Sequence, residues 1–184
     1  LEFEPLSPEE RVNKLYSHFK NKEILLTSSF AVTSAYLLYL FSNKKPKQEV
    51  IFIDTGYHFK ETLAYKDYLT NIYDLKVKTV KPNKYKHIFT SFDKTWKKDP
   101  DFCCSVNKLE PIEKIKNKYK VWVSGLMSWQ SNHRNSLNIF EERGNILKFY
   151  PLLDVSKNER EKLITKYHLP FHPLQIKGYF SVGC

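Results

Sequence analysis

The chain has 184 residues, of which 41% are hydrophobic and 27% are charged, enough for one domain with a sizeable apolar core. Three cysteines are too few for a secreted scaffold held by disulfides, and no run of residues is long and apolar enough for a membrane span. The net charge of +10 suits an anionic ligand or a nucleic acid, but only four of the 30 basic residues are arginines, so a nucleic-acid partner is not expected. Without an apolar span, a membrane is not an expected partner either.

The sequence predicts a single domain that spans residues 1–184, in a cytoplasmic protein. Its first predicted element is a helical segment within residues 1–22. Within that segment, Ser7, Pro8 and Glu10 predict a helix over residues 7–19, because they supply a hydroxyl cap, a first-turn proline and an early acid. Strands follow from short apolar or alternating runs at residues 23–27, 50–53, 75–80, 120–124 and 147–150. The alternating run at residues 75–80 is expected near a sheet edge.

Helical segments separate several of these strands. They are predicted from residue 34 to about 41, over residues 59–72, and over residues 156–167, where Ser156 and Glu159 form a capping box. Strands that alternate with helices predict an α/β fold in which a mainly parallel sheet is flanked by helices. In such folds ligands bind beyond the carboxyl ends of the strands.

Small or polar residues follow three of the predicted strands. Ser28 and Ser29 precede a helix, whose first N–H groups and dipole could receive a phosphate, although a simple helix cap is the alternative. Asp54-Thr55-Gly56 follows the second strand. There the acid could accept from a ribose or an adenine amine and the glycine could approach a ligand, or both could form only a turn. Ser124-Gly125 ends the fourth strand.

Two further polar segments are candidate sites. Gln130, Ser131 and Arg134 follow the fourth strand and could line an anion site, or form an ordinary polar loop. Near the end of the chain, His172 lies between two prolines and is expected to pack in a loop rather than bind a ligand.

The vicinal pair Cys103-Cys104 is a candidate metal or cluster site. Soft thiolates bind zinc, copper(I) or iron–sulfur clusters, and zinc ligands are normally spaced by two to four residues. The alternative is a pair of buried thiols that pack as small hydrophobic groups. Lys108 follows Cys104 by about one helical turn, and Cys184 could be a third ligand.

Five segments from about residue 23 to residue 184 together resemble the assimilatory sulfonucleotide reductases, which reduce adenylyl sulfate or its 3′-phosphorylated form to sulfite. The segments are Ser28-Ser29-Phe30-Ala31, Asp54-Thr55-Gly56-Tyr57 with Glu61-Thr62, Lys108-Leu109-Glu110-Pro111-Ile112, Gln130-Ser131 with Arg134, and Gly178-Tyr179-Phe180-Ser181-Val182-Gly183-Cys184. The resemblance implies a Rossmann-like adenine-nucleotide-binding fold. It also implies that Lys108 supports the chemistry and that the substrate is bound by Ser28, Ser29, Asp54, Thr55, Gly56, Gly125, Gln130, Ser131 and Arg134.

The cysteine pair resembles the iron–sulfur type of this family, which prefers adenylyl sulfate. That resemblance implies a [4Fe-4S] cluster on Cys103, Cys104 and Cys184, with a fourth cysteine and the catalytic cysteine expected on a C-terminal tail beyond Cys184. It further implies that the tail thiolate attacks the sulfur, AMP leaves, and a thioredoxin- or glutaredoxin-type thiol releases sulfite from the S-sulfocysteine. A homo-oligomer is possible.

Several alternatives stay open. A phosphoadenylyl-sulfate reductase is one, and a catalytically impaired nucleotide-binding relative is another. The impaired relative is considered because Met127, Ser128 and Asn107 stand where the family has basic residues, and Ala31 where it has glycine. An ATP-pyrophosphatase-type adenylating enzyme would need a loop with two glycines and an acid, which residues 28–34 lack. A zinc-stabilised nucleic-acid module is supported by the charge alone.

Overall fold

The structure, a computed structural model, describes residues 3–182, and in that range one mixed sheet forms the centre of the molecule. Its strands are β1 (Ile24–Thr27), β2 (Glu49–Ile53), β3 (Lys76–Val80), β4 (Val121–Val123), β5 (Phe140–Arg143) and β6 (Ile146–Phe149). Their order is β3-β2-β1-β4-β6-β5, with β3 at an edge as predicted. All neighbours pair in parallel except β5, which is antiparallel to β6. The predicted mainly parallel α/β sheet is therefore confirmed.

Helices cover the sheet. They are α1 (Pro8–His18), α2 (Ser34–Ser42), α3 (Lys60–Ile72), α4 (Lys84–Phe92), α5 (Thr95–Lys98), α6 (Pro100–Cys104), a π-helical turn (Ser105–Leu109), α7 (Glu110–Lys116), α8 (Asn132–Asn135), α9 (Lys157–Lys166) and α10 (Pro173–Ile176). The sequence predicted α1, α2, α3 and α9 but not the run from α4 to α7, most of whose pieces are too short to show a periodicity. None of the described helices is long and apolar enough to cross a membrane.

The predicted caps are present at both helices that carry a capping box. The Ser7 hydroxyl accepts from the Glu10 N–H at 3.4 Å, while the Glu10 carboxylate accepts from the Ser7 N–H at 2.8 Å. Ser156 and Glu159 make the same reciprocal pair at the start of α9. Local sequence therefore determines where α1 and α9 begin.

A buried arginine joins α1 to the segment that follows β6. Arg11 is 1% exposed, and its guanidinium donates to the carbonyls of Phe3, Glu4 and Pro151 at 2.7–3.1 Å. It also pairs with the carboxylate of Asp154 at 2.5 Å. Although desolvation opposes it, Arg11 holds the pKa of Asp154 below its usual value. This cluster fixes α1 against the segment that follows β6.

The strand order places a crevice at the centre of the sheet. From β1 the chain builds outward to β2 and β3 on one side, and then returns to add β4 and β6 on the other. In the register, Leu26 of β1 lies beside Val50 of β2 and Val123 of β4. The direction in which strands are added therefore reverses between β1 and β4, and in open α/β sheets ligands bind at the carboxyl ends of the strands beside such a point.

Candidate functional site

A cavity of about 710 Å³ opens at the carboxyl ends of β1 and β4. Its described walls are the loop after β1, the loop after β4, the end of the π-helical turn with α7, and residues 180–182 near the C-terminus. Predicted site residues that line it are Ser28, Ser29, Thr55, Lys108, Gly125, Gln130, Ser131 and Arg134. Segments far apart in the sequence thus meet around one cavity, as the strand topology requires.

The loop after β1 is shaped by a residue in the left-handed region. Phe30 has a φ of 53°, its N–H donates to the Ser28 hydroxyl at 3.1 Å, and its ring is buried against Phe52. This turn places Ser28 and Ser29 on the cavity side while Phe30 enters the core. The helix α2 then starts at Ser34, and no side chain at its N-cap, Thr33, bonds to its first turn.

The loop after β1 is also held by an arginine of α9, which was not predicted from the sequence. Arg160 on α9 donates to the carbonyl of Val32 at 2.8 Å. Burial lowers the pKa of its guanidinium from the usual value. No motif marks this residue, because its partner is a backbone carbonyl 128 residues earlier in the chain.

Gln130 connects the two loops of the cavity. Its amide nitrogen donates to the Thr33 hydroxyl at 3.2 Å, and its carbonyl oxygen accepts from the Met127 N–H at 3.1 Å. The same oxygen accepts from the guanidinium of Arg134. Ser131 accepts from the Arg134 N–H at 3.2 Å and caps α8. Gln130 therefore sets the position of Arg134 relative to the start of α2.

The charge of the cavity is positive. Among the described residues that line it, Lys108, Arg134 and Lys148 are cations, and no aspartate or glutamate is present. Lys148 lies with its ammonium 4.9 Å from the ring centroid of Trp122, and burial, followed by the charge of Arg143, lowers its pKa. Such a cavity favours an anion, because its described lining contains cations and no carboxylate. Lys148 was not predicted from the sequence, because it lies on a strand with no motif.

Flat side chains also line the wall, which suits a planar ring. Those described are Trp122, Trp129, His58, Tyr150 and Phe180. Trp129 is held by a hydrogen bond from its indole N–H to the carbonyl of Val155 at 3.0 Å. His58 is held by a 2.9 Å hydrogen bond to the carbonyl of Ile53 and by contact with Phe52.

The turn after β2 contributes one residue to the cavity wall. Thr55 lines the cavity, whereas Asp54 and Gly56 lie beside it. The carboxylate of Asp54 accepts from the Gly56 N–H at 3.1 Å and pairs with Lys81 at 3.7 Å. Gly56 has a φ of 80°, and a Cβ at this position would lie 2.6 Å from Cε1 of His87. Both the backbone and its neighbour therefore require glycine there.

Asn107 is the centre of a buried polar cluster behind that turn. It is 1% exposed, and its amide nitrogen donates to the Thr90 hydroxyl at 3.1 Å and to the Cys103 carbonyl at 3.0 Å. Because the amide nitrogen is used by these two acceptors, the atom of Asn107 that lies 2.8 Å from Nδ1 of His87 is the carbonyl oxygen. A carbonyl oxygen can only accept, so Nδ1 of His87 carries a proton and donates. Met127, the second position where a basic residue was expected, is fully buried in the core. At both positions the side chain is part of the scaffold.

The cysteine pair lies at the end of α6. Cys103 is buried, Cys104 is half-buried, and the Asn107 amide nitrogen approaches the Cys103 Sγ at 3.6 Å. Cys184 lies outside the described residues. Within residues 3–182 no group of three or more His, Cys, Asp or Glu side chains is placed to hold a metal ion.

His172 packs in its loop, as the sequence predicted. It is fully buried, its Nδ1 accepts from the Leu174 N–H at 3.2 Å, and its Nε2 lies 3.1 Å from the Thr62 hydroxyl. Burial lowers its pKa, although Glu61 opposes the shift.

Comparisons with known proteins agree on one family. Residues 23–184 match the phosphoadenosine phosphosulfate reductase domain. The chain is 35% identical to a phosphoadenosine 5′-phosphosulfate reductase of Photobacterium profundum, covering 99% of the chain and 74% of that protein. It is 31% identical to an adenosine 5′-phosphosulfate reductase of Mesorhizobium japonicum, covering 97% and 71%.

Solved structures give the same result for the fold. A phosphoadenylyl-sulfate reductase from Candida auris, solved as a phosphate complex, matches with a TM-score of 0.83 and 25% identity over 99% of this chain and 90% of that one. The FMN adenylyltransferase of Candida glabrata in complex with ATP is only 16% identical, with a TM-score of 0.67, over 96% of this chain and 58% of that one. The second likeness concerns the fold alone.

Proposed function

This chain belongs to the phosphoadenosine phosphosulfate reductase domain family, and from that premise we propose that it reduces adenylyl sulfate to sulfite and AMP in sulfate assimilation. The observation that carries the proposal is the cavity at the ends of β1 and β4. Its described lining combines three cations with no carboxylate and several flat side chains. An adenine nucleotide with a phosphosulfate group fits this lining, because cations attract the phosphosulfate and flat side chains pack against the adenine ring.

The cations hold the phosphosulfate group. Lys108, Arg134 and Lys148 approach it from three different elements, and the hydroxyls of Ser28 and Ser29 donate to its oxygens. The adenine ring lies along the aromatic part of the wall. Gln130 orients Arg134, so that this guanidinium does not have to be ordered when the anion binds.

The reaction is a thiolate attack on the sulfur of the phosphosulfate. A new S–S bond forms, the S–O bond to the nucleotide breaks, and AMP leaves with the electron pair of that bond. One thiolate of a thioredoxin- or glutaredoxin-type dithiol then attacks the cysteine sulfur, which breaks the S–S bond to the sulfonate, releases sulfite and forms a mixed disulfide. The second thiol of the dithiol breaks that mixed disulfide, so the dithiol becomes a disulfide, having supplied two electrons, and the enzyme thiol is restored. Cations near the sulfur stabilise both the thiolate and the departing AMP. The cytoplasm, which keeps thiols reduced, suits this requirement.

We place the attacking thiolate on a tail beyond Cys184, as the family resemblance implies. Of the cysteines in the described part of the chain, Cys103 and Cys104 lie outside the cavity lining. Ser181 and Val182, the last two residues that the structure describes, line the cavity.

Cys103, Cys104 and Cys184 are proposed ligands of a [4Fe-4S] cluster. Two adjacent thiols with an amide donor at 3.6 Å from one of them fit a sulfur-bound cluster, because hydrogen bonds to the sulfurs favour the thiolate form. When bound, the cluster would add its own charge to the electrostatic field near the substrate. Protein purified without oxygen should be brown and contain iron, and Cys103→Ser should lose both. A colourless, iron-free wild-type protein would refute this part.

Phosphoadenylyl sulfate is the second candidate substrate. Several relatives, among them the Photobacterium profundum protein and the Candida auris structure, carry that name. This nucleotide has an additional 3′-phosphate, which would need further donors besides the cations described above. An assay of sulfite release from each nucleotide therefore decides which of the two is the substrate.

The test measures sulfite release from adenylyl sulfate and from its 3′-phosphorylated form, with thioredoxin and a thioredoxin reductase. Arg134→Ala and Lys108→Ala should each raise KM by about 10-fold or more, since each removes a charge-assisted hydrogen bond of about 1.5–3 kcal/mol. Lys118→Ala, which removes an exposed lysine outside the cavity lining, is the matched control. Binding of both nucleotides without sulfite release would indicate an impaired relative instead.

A further inference from the structure

The π-helical turn between α6 and α7 sets the direction of Lys108. In this turn the Glu110 N–H donates to the carbonyl of Ser105, five residues earlier instead of the usual four. One additional residue in a helix rotates everything that follows it by about 100°. Lys108 and Leu109 line the cavity, whereas Cys104, just before the turn, does not. The direction of Lys108 therefore depends on how the turn is held.

The ammonium of Lys108 has no partner that would orient it. Within residues 3–182 it makes neither a hydrogen bond nor an ion pair, whereas the guanidinium of Arg134 donates to Gln130. A lysine stem is long and flexible, so without a partner its ammonium is directed by the backbone that carries it. The support of that backbone is therefore the feature that can preorganise this cation.

Asn107, the residue before Lys108, supplies the support. Its side chain is buried, and its amide nitrogen donates to the carbonyl of Cys103 at 3.0 Å, one helical turn earlier, and to the Thr90 hydroxyl on α4 at 3.1 Å. Its carbonyl oxygen accepts from Nδ1 of His87, also on α4, at 2.8 Å. The turn cannot rotate on α4 without breaking these hydrogen bonds, and each broken one would leave a buried polar group unpaired.

Helix α4 extends this support to a second wall of the cavity. His87 packs on the turn after β2, where a Cβ on Gly56 would lie 2.6 Å from its Cε1. The Ser91 hydroxyl lies 2.9 Å from the hydroxyl of Tyr57, in the same turn. Since Thr55 of this turn also lines the cavity, α4 fixes the two turns relative to each other.

We propose that Asn107 is a positioning residue for substrate binding: by fixing the π-helical turn on α4, it places the ammonium of Lys108 at the bound phosphosulfate. The inference rests on the proposed function, in which Lys108 binds that group. A cation that is already directed at the anion does not have to be ordered when the ligand arrives, so binding is tighter.

The experiment is a double-mutant cycle between Asn107 and Lys108, with the Kd of adenylyl sulfate measured by titration calorimetry on the full chain. Asn107→Ala should raise the Kd about 5-fold or more, within the range of coupling found for residues of one network. In the Lys108→Ala background the same substitution should change the Kd by less than about 2-fold. Adenosine, which has no anion for Lys108, should bind Asn107→Ala and the wild type equally.

A second buried amide provides the matched control. Gln48 is 5% exposed, and its amide nitrogen donates to the carbonyl of Ile24 at 3.0 Å, just before β2 and at the opposite end of the strands from the cavity. Gln48→Ala and Asn107→Ala should both lower the melting temperature, because each removes a buried hydrogen-bonding group. Only Asn107→Ala should change the Kd for adenylyl sulfate.

Thr90→Val tests the same support from α4. It removes one acceptor of Asn107 and keeps the hydrogen bond from Asn107 to Cys103, so an effect cannot come from the cysteine pair. It should raise the Kd about 2-fold or more, again only when Lys108 is present, and it serves as the test if Asn107→Ala does not fold.

Three results would overturn the proposal: an unchanged Kd in both variants, an equal loss with and without Lys108, or an equal loss for adenosine. If the coupling is found but no sulfite is released by the wild type, the proposed function fails while the positioning role of Asn107 stands. If adenylyl sulfate does not bind at all, both are wrong.

Discussion

Replacing Gln130 by glutamate changes the charge of the cavity while its hydrogen bonds are kept. One carboxylate oxygen can still accept from the Met127 N–H and from Arg134, and the other can accept from the Thr33 hydroxyl, which turns to donate. The variant should therefore fold with a stability close to that of the wild type. The substitution adds one negative charge to a cavity whose described lining contains no aspartate or glutamate.

The size of the effect follows from Coulomb's law. At about 8 Å from the bound phosphosulfate and an effective dielectric constant near 20, one added charge opposes binding by about 2 kcal/mol. That corresponds to a roughly 30-fold weaker Kd for adenylyl sulfate. The loss should shrink at high salt, because salt screens interactions in a cavity that is open to solvent.

Titration calorimetry with two ligands tests this reasoning. Adenylyl sulfate should bind Gln130→Glu about 30-fold more weakly, whereas adenosine, which is neutral, should bind the variant and the wild type equally. Asn71→Asp adds the same charge on the exposed side of α3 and is the control for net charge. Unchanged affinity for adenylyl sulfate would refute the placement of the anion near Arg134, and an equal loss for adenosine would show that the effect is structural.

Three further outcomes test the scaffold. Arg11→Met should lower the free energy of unfolding by about 3–5 kcal/mol in denaturant titration, because it leaves Asp154 and three carbonyls without their donor. Arg143→Met, the control, removes an exposed ion pair and should cost under about 1 kcal/mol. Equal losses in the two variants would contradict a stabilising role for the buried cluster around Arg11. Gly56→Ala should lose at least about 1–2 kcal/mol of unfolding free energy, since its φ of 80° disfavours a side chain and the Cβ meets His87. His87→Ala removes the hydrogen bond to Asn107 and has a cost of its own, so the comparison is a double-mutant cycle: Gly56→Ala should cost less in the His87→Ala background than in the wild type, and equal costs would mean that the contact does not matter. Burial lowers the pKa of His172, so as the pH falls the histidine is protonated in the unfolded state before it is protonated in the folded state. The stability that the neutral, buried His172 contributes is therefore complete above pH 6.5 and is lost as the pH falls below it. Plots of melting temperature against pH for the wild type and for His172→Asn should differ in slope between pH 7 and pH 5, and parallel plots would exclude His172 as the cause.

Much of the fold could be predicted from local sequence. The caps at Ser7 and Ser156 act within one helical turn, and the apolar runs of β1, β2 and β4 reflect burial on both faces. The short antiparallel strand β5 was not predicted, because its sequence, Phe-Glu-Glu-Arg, has no strand pattern. Where an element depends on its own residues, the sequence is sufficient.

The candidate site was predictable to the extent that motifs follow strand ends. Ser28, Thr55 and Gln130 were selected from such positions, and the parallel sheet brings them to one cavity. Lys148 and Arg160 were not found, because each acts through a contact with a residue distant in sequence that no local pattern records.

The sequence by itself determined the family, the alternation of strands and helices, and the loops that end in the cavity, since these depend on local propensity and on motifs. The tertiary structure alone decided that Asn107 and Met127 belong to the scaffold, that the described part of the cavity wall carries cations without carboxylates, and that α4 faces outward with its apolar side. These properties depend on which surfaces meet after folding. The spacing of Tyr85, Ile88, Phe89 and Phe92 is that of a buried helix face, and only the packing of His87 and Thr90 on Asn107 turns that face to the outside.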